Sequence, residues 1–271
     1  MRIQNNVSAL NALNNTTRNE NALTKNIKKL SSGYRINSAA DDAAGLAISE
    51  KMRSQIRGLG KAVQNANDGI SAAETAEGTL QEVTNILQRM RELSVQAANS
   101  GTYEAQEVTN LDDEYQALMK EIDRIHQAST YNGTSISSDK QFSFMVDANA
   151  MAGTEVTLKV GTFNTTALKL NGTSLSLGKV DSAFIQKIDD AIETITSKRA
   201  DIGAIANRLE YTVNNLSTMK ENLTQAESRI RDVDMSAEYV EMTKNSVLNQ
   251  ASVAMLAQAN STTQNVLSLI Q

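Results

Sequence analysis

The chain has 271 residues, enough for one large domain or two modest ones with a sizeable core, and a formal net charge of −5 with both signs interspersed. One histidine, no cysteine and no tryptophan leave few side chains for nucleophilic, acid–base or metal chemistry, so no enzyme, metal site or cofactor is expected. The mixed charge and 4% aromatic content offer neither a basic stripe nor stacking platforms for nucleic acid, and no apolar run approaches the roughly 20 residues of a membrane span.

Zero proline allows very long helices, and apolar spacing predicts them from the start. The N-terminal "MRIQNNVSALNALNN" lacks the continuous apolar core of a cleavable signal peptide. Within it Ile3, Val7, Leu10 and Leu13 recur at steps of 4, 3 and 3, and Leu23, Ile27 and Leu30 follow at 4 and 3. This is an amphipathic helix with a narrow apolar seam. Eight of the first 30 residues are asparagine, which competes for backbone hydrogen bonds, so the helix is marginal alone.

Next comes "GYRINSAADDAAGLAIS", residues 33 to 49, with Asp41 and Asp42 side by side. Neighbours on a helix diverge by about 100°, which disfavours a convergent catalytic or metal pair. Ser38 followed by Asp41, just ahead of an apolar repeat, instead reads as a capping arrangement at a helix start.

The repeat runs through Ile48, Met52, Ile56, Leu59, Val63, Ala66 and Ile70 to Leu80, Val83, Leu87 and Met90 as one long helix. Gly58, Gly60, Gly69 and Gly78 are its weak points. "GLGK" inside it lacks the strand and further glycines of a phosphate loop. A third helix carries Leu111, Tyr115, Leu118, Ile122 and Ile125. Its "LDDEYQ" and "EIDRIH" read as a solvated charged face, with His126 at the surface or helix end.

Residues 131–180 differ in kind. "FSFMV", "EVTLKV" and "ALKLNGTSLSL" alternate apolar and polar residues, and Asn171-Gly172 signals a hairpin. Helical spacing then resumes through Ile185, Ile188, Ile192, Ile195, Ile202, Leu209, Leu216, Leu223, Ile230 and Val233. A last helix carries Leu248, Ala251, Met255, Ala259, Thr262, Val266 and Leu269. Between these two helices, "AESRIRDVDMSAE" sets Arg229 and Arg231 ahead of Asp232 and Asp234, able to pair locally or across to "RINSAADD". From Asn245 to Gln271 no residue is charged, and the many Asn, Gln, Ser and Thr suit burial against protein rather than lipid. The expected fold is mainly α, a long coiled coil or bundle with a small β-hairpin element in the middle, whose ends order on meeting partners.

The stretches "LSSGYRINSAADDAAGLAISEKMRSQIRGL", "NANDGISAAETAEGTLQEVTNILQRMRELSVQAANS", "RLEYTVNNLSTMKENLTQAESRIRDVDMSAE", "MTKNSVLNQASVAMLAQAN" and "NVLSLI" closely resemble bacterial flagellin. The resemblance covers the first 130 or so residues and the last 85, and not the middle. It implies an inner coiled coil from 1–40 plus 236–271, a rod-like helical domain from 41–130 plus 181–235, and a short variable segment at 131–180. It also implies a structural subunit of the flagellar filament, extracellular and exported by the flagellar type III apparatus without a cleavable signal.

The implied partners are many copies of the chain itself, an export chaperone on the C-terminal tail, and hook-associated junction and cap proteins. On this reading Ile3, Val7, Leu10, Leu13, Leu23, Ile27, Leu30, Leu248, Met255, Val266 and Leu269 form the self-assembly seam. Arg89, Leu93 and Glu114 match a surface sensed by a Toll-like receptor of animal hosts. Tyr34 stands where leucine is frequent. The alternative is a hook-filament junction protein, which shares both ends but is weaker in the two long motifs. An inserted protease is disfavoured, because 131–180 is short and has no His-Glu-x-x-His pattern.

Overall fold

A computed structural model describes residues 6–99, 104–148, 155–176 and 180–268, with side chains of the last helix followed to residue 262. Helices α1 (Val7–Ser32), α2 (Ala43–Ala97) and α3 (Ala105–Ala128) precede strands β1 (Thr130–Tyr131), β2 (Thr134–Ser135), β3 (Phe142–Met145) and β4 (Glu155–Leu158). Helices α4 (Ser182–Arg231) and α5 (Met235–Ser268) follow. The mainly helical fold with a small antiparallel β element matches the sequence reading. The chain forms two compact units, a central one of residues 57–220 and a terminal one of 1–56 with 221–271.

The central unit is organised by an alternating 3,4 repeat. On α2, Leu59, Ala62, Ala66, Gly69, Ala73, Ala76, Leu80, Val83, Leu87, Met90, Ser94 and Ala97 are all buried, the stagger that keeps one helix face against its neighbours. On α4, Ile188, Ile195, Ile202, Leu209 and Leu216 are buried at every seventh position. Where α2 carries large residues, α3 joins the same core with Val108, Tyr115, Met119 and Ile122. Where it carries small ones, the β element comes close. A Cβ on Gly69 would lie 3.0 Å from Leu209 and 3.1 Å from Phe144, and one on Gly58 would lie 2.9 Å from Ala148. These glycines, expected as weak points in a helix, are close-approach positions in an unbroken one.

The middle segment departs from expectation. Its hairpin turn is Asn132-Gly133, not Asn171-Gly172. Both turn residues have positive φ, 48° and 75°, joining β1 to β2 as a two-residue turn. A second antiparallel pair runs from Phe142↔Leu158 to Met145↔Glu155. Residues 167–176 make turns rather than strands. Leu168, Leu170 and Leu175 reach the core from these turns, and the Thr173 N–H closes onto the Leu170 carbonyl at 3.1 Å.

Helix α3 holds this loop with groups the sequence placed on a solvated face. Asp123 accepts from the Thr165 N–H at 2.9 Å and from its hydroxyl, and Asp112 accepts from the Leu175 N–H at 2.6 Å. Gln116 donates to the Thr173 carbonyl at 2.9 Å, and Lys198 of α4 donates to the Val160 carbonyl at 2.7 Å. The reason is local: a loop without strand partners must satisfy its backbone on side chains. The Glu121–Arg124 pair, at 2.6 Å, keeps the solvated charged character expected of the helix.

His126 lies in the last turn of α3, its ring edge-on to Phe163 with centroids 4.9 Å apart. Burial pushes its pKa down, opposed by the nearby Asp123 charge. The folded state therefore binds fewer protons there than the unfolded chain. This stability is complete above the ordinary imidazole value of about 6.5 and is lost as pH falls below it.

Two outcomes are expected. Urea midpoints should fall between about pH 7.5 and about pH 5.5 by an increment that His126→Gln removes. Gly69→Val, forced against Leu209 and Phe144, should cost about 1–3 kcal/mol in equilibrium unfolding.

Candidate assembly surface at the chain ends

The terminal unit begins and ends its helices with specific caps. The Asn6 side chain accepts from the Ala9 N–H at 3.1 Å, and α1 stops at Gly33, whose φ of 74° is left-handed. Asp42 caps α2 by accepting from the Gly45 N–H at 2.9 Å. Asp41 instead closes the preceding turn, taking the Ser38 hydroxyl at 2.9 Å and backbone N–H groups of Ser38 and Asn37. The Ser38 hydroxyl is the main reason its carboxyl lies below the usual range. The helix-start reading of the aspartate pair therefore holds, with Asp42 rather than Ser38 at the cap. Asp234 caps α5 through the Ser236 and Ala237 N–H groups at 3.0 and 3.2 Å.

Between α1 and α2, "GYRI" meets the end of α4. The Arg35 N–H donates to the Arg231 carbonyl at 2.7 Å, and the Val233 N–H to the Gly33 carbonyl at 3.0 Å, bridging Tyr34 and Asp232. The Arg35 guanidinium reaches the Ile230 and Arg229 carbonyls at 2.5 and 3.2 Å, cations on the negative end of a helix. The nearly buried Arg231 pairs with Glu50 at 2.6 Å and lies over the Tyr34 ring at 4.8 Å. The two charged stretches thus meet, but through backbone, Glu50 and Tyr34 rather than through Asp41 or Asp42. Arg231 is also the chief cause of the depressed Glu50 carboxyl.

Helices α1 and α5 pair antiparallel. Asn6 donates to the Ala259 carbonyl at 3.0 Å, Asn19 to the Ser252 hydroxyl at 2.8 Å, and Lys29 lies 3.6 Å from Glu238. Among the shielded positions, one series on α1 runs through Ala9, Ala12, Thr16, Asn19, Leu23, Asn26 and Leu30. The matching series on α5 runs through Glu238, Met242, Asn245, Asn249, Ser252, Leu256 and Ala259. Both series step by 3 and 4, a coiled-coil repeat filled largely with small and polar residues.

The seam residues divide accordingly. Leu23 and Leu30 are half-buried beside α5. Val7, Leu10, Leu13, Ile27, Leu248 and Met255 are exposed by 61, 55, 50, 50, 43 and 65%. Ile3 and Leu269, and the side chain of Val266, lie outside the described residues. Tyr239, Val240, Val247 and Val253 of α5 are exposed too, and Tyr239, Val240, Val247 and Leu248 line a groove of about 520 Å³. The apolar stripes therefore face away from the helix pair instead of holding it together. The 3,4 spacing of Ala, Thr and Asn was the signal for the true contact, and an apolar-only reading passes over it.

In the central unit, the Arg89 Nε donates to Glu114 at 2.9 Å, and the same guanidinium lies 3.2 Å from Glu92. Leu93, expected on that surface, is fully buried in the core beneath.

The chain is a mainly helical protein whose terminal helices α1 and α5 pair and carry exposed apolar side chains, and the comparisons make its class specific. The bacterial flagellin N-terminal helical region matches residues 3–141 and the C-terminal helical region residues 185–270. Flagellin of Bacillus subtilis (strain 168) is 46% identical over 100% of both chains. The crystal structure of Bacillus cereus flagellin is similar at TM-score 0.51 and 33% identity, covering 56% of this chain and 88% of that one. A putative flagellar hook-associated protein from Vibrio parahaemolyticus aligns at TM-score 0.58 and 16% identity over 71% of this chain and 100% of that one, a likeness of fold alone. The chain belongs to the bacterial flagellin family. It is a structural subunit that polymerises into the extracellular flagellar filament for swimming motility, and nothing favours the junction alternative.

Arg231→Leu should let the Glu50 carboxyl rise toward the ordinary glutamate value of about 4.3 in an NMR titration. The same variant should speed amide exchange at Arg35 and Val233 while leaving Leu87 and Ile195 unchanged.

Proposed function

We propose that the outward apolar stripes of α1 and α5 are the surface through which each copy joins its neighbours. Residues 1–40 with 236–271 then form the inner coiled coil, 41–130 with 181–235 the rod, and 131–180 the variable segment. The observation that carries this reading is the exposure of Val7, Leu10, Val247 and Met255 by 55 to 65% on helices whose mutual contact is made largely by small and polar residues. Fully burying one such side chain is worth about 1.5–3 kcal/mol, so a handful per subunit is a substantial driving force. Because contacts between copies in an open helical assembly are heterologous, growth does not close on itself.

The uncharged stretch from Asn245 onward needs cover before assembly, which fits an export chaperone at that tail. Export takes place without a cleavable signal, and junction and cap proteins bound the polymer. The exposed Arg89–Glu114 pair is the portion of the proposed Toll-like-receptor surface open to a partner, with Leu93 supporting it from below.

Purified chain added to short filament seeds should elongate into long fibres, whereas a layer that stops growing would count for the junction reading. Leu10→Asp and Val247→Asp should each raise the critical concentration at least about tenfold, since each puts a charge where apolar burial is needed. The thermal unfolding of the central unit should stay unchanged. Normal elongation by both variants would refute the proposed surface.

A further inference from the structure

In a chain without cysteine or tryptophan, the methionine thioether is the side-chain group that a mild oxidant turns from apolar to polar. Exposure decides which of the ten methionines react. Met90 and Met119 are shut in the core of the central unit, where the Met119 sulfur accepts from the Thr173 hydroxyl at 3.6 Å. Met52 and Met242 are half-buried. Met145, Met219, Met235 and Met255 are open to solvent, and Met255, at 65%, is the most exposed of the described methionines.

The setting of Met255 also differs from that of the other three. Met145 sits in β3, with its carbonyl accepting from the Asn65 amide at 3.0 Å, Met219 on α4 and Met235 at the first residue of α5. Met255 follows the exposed Leu248 by about two helical turns on α5, inside the stretch from Asn245 onward that has no charge. A leucine at 255 would present a comparable apolar volume. What methionine adds is flexibility and an oxidisable sulfur.

We propose that Met255 is a peroxide-sensitive modification site that decides whether a free subunit can add to the filament. The chemistry is one oxygen transfer. A sulfur lone pair attacks the outer oxygen of a peroxide and forms the S–O bond as the O–O bond breaks. Sulfur gives up two electrons, and the remaining peroxide oxygen takes up the proton and leaves as water. The sulfoxide is a polar acceptor on a stripe that must shed water on assembly, so covering it without a donor weakens addition. The inference rests on the filament reading, in which neighbouring copies cover Met255. Once covered, the sulfur is shielded from oxidant, and reduction of the sulfoxide returns a free subunit to competence.

Dilute chain treated with hydrogen peroxide and mapped by mass spectrometry should gain oxygen at Met255 well before Met90 and Met119. On untreated seeds the oxidised chain should show a critical concentration raised at least about fivefold, with the thermal unfolding of the central unit unchanged. Met255→Leu should elongate as the natural chain does and lose the peroxide sensitivity. A triple variant, Met145→Leu with Met219→Leu and Met235→Leu, should keep it. Met255→Gln, which puts a polar group there without oxidant, should raise the critical concentration by itself, and finished filaments should protect Met255 from peroxide. Normal elongation by the oxidised chain, undiminished sensitivity of Met255→Leu, or equally fast oxidation of Met255 in filaments and free subunit would each overturn the proposal. Failure of the untreated chain to extend its own seeds would instead sink the filament reading.

Discussion

A 3,4 stagger of residues along long helices is the constraint on which this molecule depends, and it is filled in two chemically different ways. In the central unit the repeat holds Leu, Ile, Val, Met and Ala, and these close a continuous core with α3 and the loop that follows β4. In the terminal unit the same repeat holds mostly Ala, Thr, Asn and Ser, with Leu23, Leu30, Met242 and Leu256 among them, and most of the large apolar residues sit outside it. Area removed from water decides the outcome. A side chain half in solvent returns only part of the roughly 1.5–3 kcal/mol available, while ordering each residue costs 1–2 kcal/mol of backbone entropy. The central unit meets that cost within one chain, whereas the α1–α5 pair leaves many of its large apolar side chains exposed in the single chain.

The dense charges near residues 35–50 and 229–238 serve the same division. Asp42 and Asp234 start helices, Arg35 ends one, and Arg231 is shared between Glu50 and the Tyr34 face. Tyr34 gives Arg231 a cation–π partner as well as an apolar body. Capping and backbone bridging fix where one helix stops and the next begins, in a stretch with no proline to do it.

Much of this was legible in the sequence. Five helices and two of the four strand segments follow from periods of 3.6 and 2, because burial imposes those periods on any chain that folds this way. The Asn132-Gly133 turn was equally visible in "YNGTS" but lost to Asn171-Gly172, whose flanking alternation is stronger. Alternation alone does not make a strand; a partner is needed, and α3 offered the loop side-chain acceptors instead. Asp112 and Asp123 were misread for the same reason, since a carboxylate facing solvent and one facing a loop look alike in sequence. The contact between α1 and α5 is not legible from hydrophobic periodicity, because that period reports the apolar faces and this contact is made largely by small and polar residues.

The glycines sharpen that last point. An apolar stripe has a direction only once the neighbour it meets is known, and the same holds for a missing side chain. Gly58 and Gly69 are explained by Ala148, Leu209 and Phe144 of the same chain, while Gly78 faces open space. Positions with a close neighbour in the chain and positions open to solvent therefore occupy different faces of the same helix. Sequence periodicity superimposes the two sets, and only the burial of each position in the single chain pulls them apart.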